Sequence, residues 1–299
     1  MISAVCCAVC ALAAAAGYAP AAFAENPPGV IPTYSTSFGK QGAGKGEFAG
    51  GAVYAATDAA GDVWVTEGSR NHVYEFSSSG TFIREFGETG SGNGQFIYPA
   101  GIGINKSTGE IYVADYSHNR IEQFTSTGTF IRAFGTFGSG NGQLSLPYGV
   151  AVEPSGNVLV ADSGNNRIEK FSATGTFIAT YGSVGTGSGQ LKNPHGIALN
   201  ASGDMYIGDL GNDRAEELSP TGIYITQFGT EGTGNAQFLS PNDVEVDPRT
   251  GDVFVADELN YRVQVFSPAG TCLFRWAPAR GRPRPCTASR STRLAACTS

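Results

Sequence analysis

The sequence predicts an all-β chain folded as a β-propeller of four-stranded blades. Three observations carry this. A glycine-rich stretch recurs at a fixed period, each copy is followed by four short β-type segments, and no segment has helical periodicity long enough to form a helix. The glycines that close successive units are Gly39, Gly87, Gly135, Gly182 and Gly229, which are 48, 48, 47 and 47 residues apart. Fixed periods of this size mark solenoids and propellers, and four strands per unit is a propeller blade.

In chain order, residues 1–24 carry no charged side chain and contain the apolar run AVCCAVCALAAAA before Ala22-Phe23-Ala24, a small-x-small cleavage site. This reads as a secretory signal cut before Glu25, although it lacks the usual basic start; a short uncleaved anchor is the alternative. The run is shorter than the roughly 20 residues of a spanning helix, so stable membrane insertion is not expected. Residues 25–32 read as a linker. TYSTSFG at 33–39 aligns with TFIRAFG at 129–135, so 33–38 is a fourth strand without its own first three.

The repeated connector, TGSGNGQFIYPAGIGI at 89–104, has the glycine density of a phosphate-binding loop. Such a loop needs a helix directly after it to supply N–H groups and a positive dipole end. Here Pro99 and the alternating Gly101-Ile102-Gly103-Ile104 follow, which is a strand entry. The connector therefore runs from the outermost strand of one blade to the innermost of the next. After it come a turn at 107–109, a second strand EIYVAD, a polar loop YSHN, a third strand RIEQF, a Thr-Gly turn and a fourth strand TFIRAF.

These residues resemble the NHL repeat, most cleanly in GSGNGQLSLPYGVAVEPSGNVLVADSGNNRIEKFSATGTFIATYG at 138–182. The resemblance spans 33–276 in five complete copies plus the partial one, which implies a six-bladed ancestor whose last blade combined a C-terminal set of three strands with residues 33–38. Propellers of this family include secreted lyases, extracellular sensor domains, RNA-binding domains and protein-binding scaffolds, and the fold does not choose among them.

Charge narrows the choice. The chain is at −7, but six arginines (Arg275, Arg280, Arg282, Arg284, Arg290, Arg293) crowd the end, leaving 13 basic against 26 acidic groups before residue 275. Nucleic-acid binding needs clustered Lys and Arg, so RNA is not an expected partner. The tail 277–299 loses the glycine pattern and the apolar alternation together and reads as irregular, Arg/Pro-rich sequence, with a change of reading frame as one account. Of six cysteines, three fall in the signal, and Cys272, Cys286 and Cys297 are odd in number; no disulfide framework or CxxC metal site is expected.

Candidate binding residues lie where connectors and the loops after second strands share the channel-mouth face. One set follows the connector proline: Ala100, Tyr148, His195 and Asn242, with Asp243 beside it. The other is the polar loop: Tyr116, His118, Asn119, Asn165, Asn166, Asn212, Asp213, Asn260 and Tyr261. Such a rim suits sugars, peptides or polar side chains, although Asn also fills tight loops because it tolerates left-handed backbone. The columns Asp115, Asp162, Asp209, Asp257 and Arg120, Arg167, Arg214, Arg262 recur identically and so read as partly exposed structural ion pairs, with Glu67 and His72 standing in for them in the first blade. Resemblance to zinc lyases of this architecture would require three convergent histidines. The chain has His72, His118 and His195 on different blades, and Asn242 with Asp243 is only a fragment of a lactonase-like calcium site. No cofactor or metal is expected. The reading is an exported propeller acting as a protein-, peptide- or glycan-binding scaffold, with a metal-dependent lyase or lactonase as the alternative.

Overall fold

The computed structural model describes residues 38–50, 52–276 and 284–286. The expected signal, the linker, residues 33–37 and most of the tail lie outside them. Five antiparallel four-stranded blades follow one another: Ala52–Thr57, Val63–Glu67, His72–Phe76 and Phe82–Phe86 form the first, and Pro99–Ile104, Ile111–Asp115, Arg120–Phe124 and Phe130–Phe134 the second. The third is Pro147–Val152, Val158–Asp162, Arg167–Phe171 and Phe177–Tyr181; the fourth is Pro194–Leu199, Met205–Asp209, Arg214–Leu218 and Tyr224–Phe228. The fifth runs Pro241–Val246, Val253–Asp257, Arg262–Phe266 and Cys272–Trp276.

Strand chemistry follows position. Second strands such as VLVAD are buried along their whole length because blades cover both faces, whereas fourth strands such as FIATY alternate between half-buried and exposed. The aromatic that ends a fourth strand packs on the aromatic that ends the next blade's third strand. Ring centroids of Phe86 and Phe124 are 4.6 Å apart, of Phe134 and Phe171 5.0 Å, and of Phe228 and Phe266 4.6 Å. Burial of such a side chain stabilises by about 1.5–3 kcal/mol, so this column is a main adhesive between blades.

The innermost strands of successive blades pack side by side from first to fifth. Their closeness explains one glycine: a Cβ on Gly101 would run into the carbonyl oxygen of Tyr148 on the next blade. A second glycine is needed for conformation, since Gly94 sits at φ 75° and its N–H donates 2.9 Å to Glu122 Oε2. Among the described residues, no packing of comparable extent joins the fifth inner strand to the first.

The fifth blade gains an extra outer strand. Arg284–Pro285 pairs antiparallel with Cys272–Trp276, and the Cys286 N–H donates 3.1 Å to the Leu273 carbonyl. This juxtaposition brings Cys286 within 5.9 Å, Cα to Cα, of Cys272, and the two form a disulfide. The expectation of no disulfide is therefore corrected: counting cysteines cannot reveal a tail strand that folds back on an edge, and an edge strand with free N–H and C=O groups invites such pairing.

Candidate functional site

Connectors and the loops after second strands do share one face. The reason is a hydrogen-bonded clamp repeated in each of blades two to five. In blade three, Arg167 Nε donates 2.8 Å to Asp162 Oδ2, while Nη1 and Nη2 donate to the carbonyls of Ser139, Gly140 and Gln143 in the connector. Asp162 in turn accepts from the Ser145 N–H at 2.6 Å. Equivalent ion pairs join Arg120 to Asp115, Arg214 to Asp209 and Arg262 to Asp257. The four aspartates are fully buried; the arginine side chains are buried in blades four and five, at 6%, and partly exposed in blades two and three, at 17% and 13%. Burial raises Asp162, Asp209 and Asp257, opposed by the backbone, amide and arginine hydrogen bonds each receives. In blade one Glu67 accepts from Ala49 and Gly50, Arg70 takes over the guanidinium's role by donating to Glu47 and Gly42, and His72 caps Arg70's carbonyl.

Most of the loop amides are engaged within this framework. Asn165 donates to Gly138 O and Asp162, Asn212 to Gly185 O and Asp209, and Asn260 to Gly232 O and Asp257. His118 occupies the same column and meets Asp115 at 2.7 Å. Asn119 and Asn166 adopt left-handed backbone, at φ 56° and 57°, and each side-chain oxygen accepts an N–H from the next blade's connector, Leu146 and Asn193 respectively. Asn71 and Asp213 repeat this staple with Tyr98 and Ser240. Tyr261 holds the left-handed position in blade five and is 55% exposed.

A second set of side chains forms a row crossing the mouth from blade to blade. Tyr98 meets Tyr116 edge-on at 5.6 Å, and Tyr116 meets Tyr148 edge-on at 6.0 Å. Tyr148 and His195 are stacked, with centroids 3.9 Å apart and planes 13° from parallel. His195 Nδ1 lies 2.8 Å from Asn242 Oδ1, and the Asn242 side chain is near enough to Glu258 to favour its charged form. An amide oxygen only accepts, so Nδ1 carries the proton and Nε2 keeps its lone pair. Burial holds the His195 pKa below the ordinary imidazole value, with the Asn242 hydrogen bond opposing it, and burial likewise raises Glu258. The imidazole is therefore neutral at pH 7, an acceptor rather than a cation. Ala100 is fully buried at the corresponding place in blade two, and Asp243 is buried and accepts from its neighbour Val244.

Sequence reasoning missed Tyr98 and Glu258. The signal for Glu258 was present: the residue after the second-strand aspartate is Tyr116, Ser163, Leu210 and Glu258 in successive blades, a column that varies while its flanks repeat. As for metals, the three histidines have separate partners, Arg70, Asp115 and Asn242, on three blades. Among the described residues, the one group with metal-ligand proximity is Asp58, Asp62 and Glu75, away from the mouth. There Asp58 accepts from Ala60, Asp62 and Trp64, and Glu75 pairs with Arg84.

Residues 45–135 match a family described as a 6-bladed beta-propeller, and residues 144–171 match the NHL repeat. Among curated proteins none matches in sequence. Similar solved structures include a streptogramin B lyase (18% identity, 76% of this chain and 68% of that chain, TM-score 0.55) and a nidogen/laminin complex (22%, 78% and 82%, 0.59). A virginiamycin B lyase from Staphylococcus aureus, selenomethionine substituted, is similar at 17% identity over 76% of this chain and 70% of that one, with a TM-score of 0.55. Identities this low speak for the fold alone.

Proposed function

Because the chain is an NHL-repeat β-propeller, we propose that it is an exported binding scaffold that holds a peptide or glycan ligand at its channel mouth. The observation that carries this is the row from Tyr116 through Tyr148 and His195 to Asn242 and Glu258. The clamp residues repeat from blade to blade because the fold needs them, whereas Tyr, His and Asn differ at three equivalent sites; Tyr148 also packs in the core, while His195 and Asn242 keep part of their surface accessible. Aromatic edges beside an amide, a neutral imidazole and a carboxylate suit a ligand with an apolar face and hydrogen-bond donors. Export is supported by the uncharged, apolar N-terminal segment and by the compatibility of the Cys272–Cys286 disulfide with an extracellular location; no helix among the described residues is long and apolar enough to cross a membrane.

A lyase is the second reading, favoured by the fold shared with streptogramin-type lyases. It is the weaker one, since His195 is oriented by an amide rather than a carboxylate and no second histidine stands near it. RNA is opposed by the acidity of the blades. The deciding experiment screens the purified protein against peptide and glycan arrays and repeats the hits with Tyr148→Ala and His195→Ala. Loss of binding in both variants while each still unfolds cooperatively supports the mouth as the site; Tyr148 is buried, so its replacement lowers the melting temperature. Unchanged binding in both, or turnover of a ligand abolished by His195→Ala, rejects the scaffold reading.

A further inference from the structure

At the opposite end of the channel from the mouth, the far halves of the inner strands line an open cavity of about 180 Å³. Drug-sized sites start at about 300 Å³, so this space is scaled to a small molecule. Its lining is mixed: Ile102, Ile104, Val150 and Ile197 back it from the core, 2–7% exposed, while Val152 and Leu199 keep part of their side chains accessible. Two charged groups line it: Glu245 on the fifth inner strand and Lys106, in the turn after the second.

Neither charge is demanded by the repeat. In register, Glu245 faces Phe254 as Ala56 faces Trp64, Gly103 faces Tyr112, Ala151 faces Leu159 and Ala198 faces Tyr206. Four blades thus hold small residues at this column, where the neighbouring inner strand packs close: a Cβ on Gly103 would lie 2.9 Å from Val150 O. Only blade five carries a carboxylate there. The turn position of Lys106 is held by Ala59, Pro154, Ala201 and Pro248 in the other blades. Glu245 and Lys106 attract one another electrostatically but form no ion pair, and Lys106 instead reaches Thr57 Oγ1 at 3.3 Å. Burial, reinforced by the charge of Asp243, pushes Glu245 up to about 7, with Lys106 pulling the other way. A carboxylate in such surroundings gains from a cation delivered directly to it.

We propose that the far end of the channel is a binding site for a free α-amino acid with an apolar side chain, its ammonium on Glu245, its carboxylate on Lys106 and its side chain against Val152 and Leu199. A zwitterion brings an opposite charge to Glu245 and to Lys106 at once without adding net charge beside the buried carboxylate, where an unpaired ion is costly. This site is independent of the mouth and stands or falls separately from it.

Isothermal titration of the full chain with leucine, leucinamide and 4-methylpentanoate tests the assignment. Leucine is expected to bind saturably, and each analogue, lacking one charge, to bind at least about tenfold more weakly. Glu245→Gln and Lys106→Met are each expected to weaken leucine by about tenfold or more; Lys106 is exposed, so its replacement leaves the fold intact. No saturable binding of leucine up to about 10 mM, equal binding of leucine and leucinamide, or wild-type affinity in the Lys106→Met variant would overturn it.

Discussion

Phe38 stands on Phe76 with ring centroids 5.2 Å apart, and a Cβ on Gly80 would fall within the Phe38 side chain. Phe86 stands in the same way to Phe124 and to Gly128. The residue before the first blade thus fills the slot that the preceding blade's fourth strand fills elsewhere. Trp276 ends the fourth strand of blade five in the corresponding position. Between Trp276 and Phe38 lies the place of a sixth blade, in agreement with the six-bladed family matched by residues 45–135.

Phe38→Ala is accordingly expected to destabilise the protein by about 1–3 kcal/mol, and Phe86→Ala by a similar or larger amount, because both remove an aromatic from the seam between blades. Urea unfolding followed by tryptophan fluorescence reads this directly, since Trp64 lies in blade one and touches Phe86 at 6.2 Å. A Phe38→Ala protein as stable as the parent would show that the slot contributes nothing.

Removing one partner of a buried clamp should be severe. Asp162→Ala leaves Arg167 without its carboxylate and the Ser145 N–H without an acceptor, for a cost of about 3–5 kcal/mol. Arg167→Lys should recover little of the loss caused by Arg167→Ala, because an ammonium cannot span Asp162 and three connector carbonyls as the guanidinium fork does. Full stability in Arg167→Lys would count against this geometry.

Stability should respond to pH through Glu122 and Glu216. Burial pushes each up to about 7, opposed by the arginine and by a connector N–H. Their folded values lie above the ordinary carboxylate value, so the folded state holds these protons more tightly. This contribution is present at pH 4–5 and lost as pH rises through about 7. Blade five already carries the neutral isostere, Gln264, whose Oε1 accepts the Ala236 N–H at 3.0 Å. Glu122→Gln should therefore keep the acceptor for Gly94 and flatten the decline in melting temperature between pH 5 and 8. A slope unchanged in the double Glu122→Gln, Glu216→Gln protein would refute this origin.

Reducing the Cys272–Cys286 disulfide, which closes a loop with a sequence separation of 14, should free the tail strand and remove about 3 kcal/mol of chain-entropy stabilisation from it. Hydrogen exchange is the probe: the Cys286 amide, bound to Leu273 O, should lose its protection while the second strands of blades two to four keep theirs. Retained protection after reduction would mean that strand pairing alone holds the tail.

The period of the glycines, the P-x-G entry to three of the inner strands and the alternation within strands were enough to specify five blades, because each is local: backbone conformation and strand pattern are set by residues within one repeat. The shared face of connectors and loops also followed from topology. What only the tertiary structure decided was which side chains of that face serve the framework and which stand together in a row. Asn119 and Asn166 looked like rim amides until the connector N–H of the next blade, 27 residues on, was found to occupy them. Tyr148, His195 and Asn242 form one row because three inner strands pack edge to edge, a contact between residues 47 apart that no local pattern encodes. The disulfide is of the same kind. Hydrogen bonds and ring contacts act over a few ångströms in space, and the sequence orders residues only along the chain.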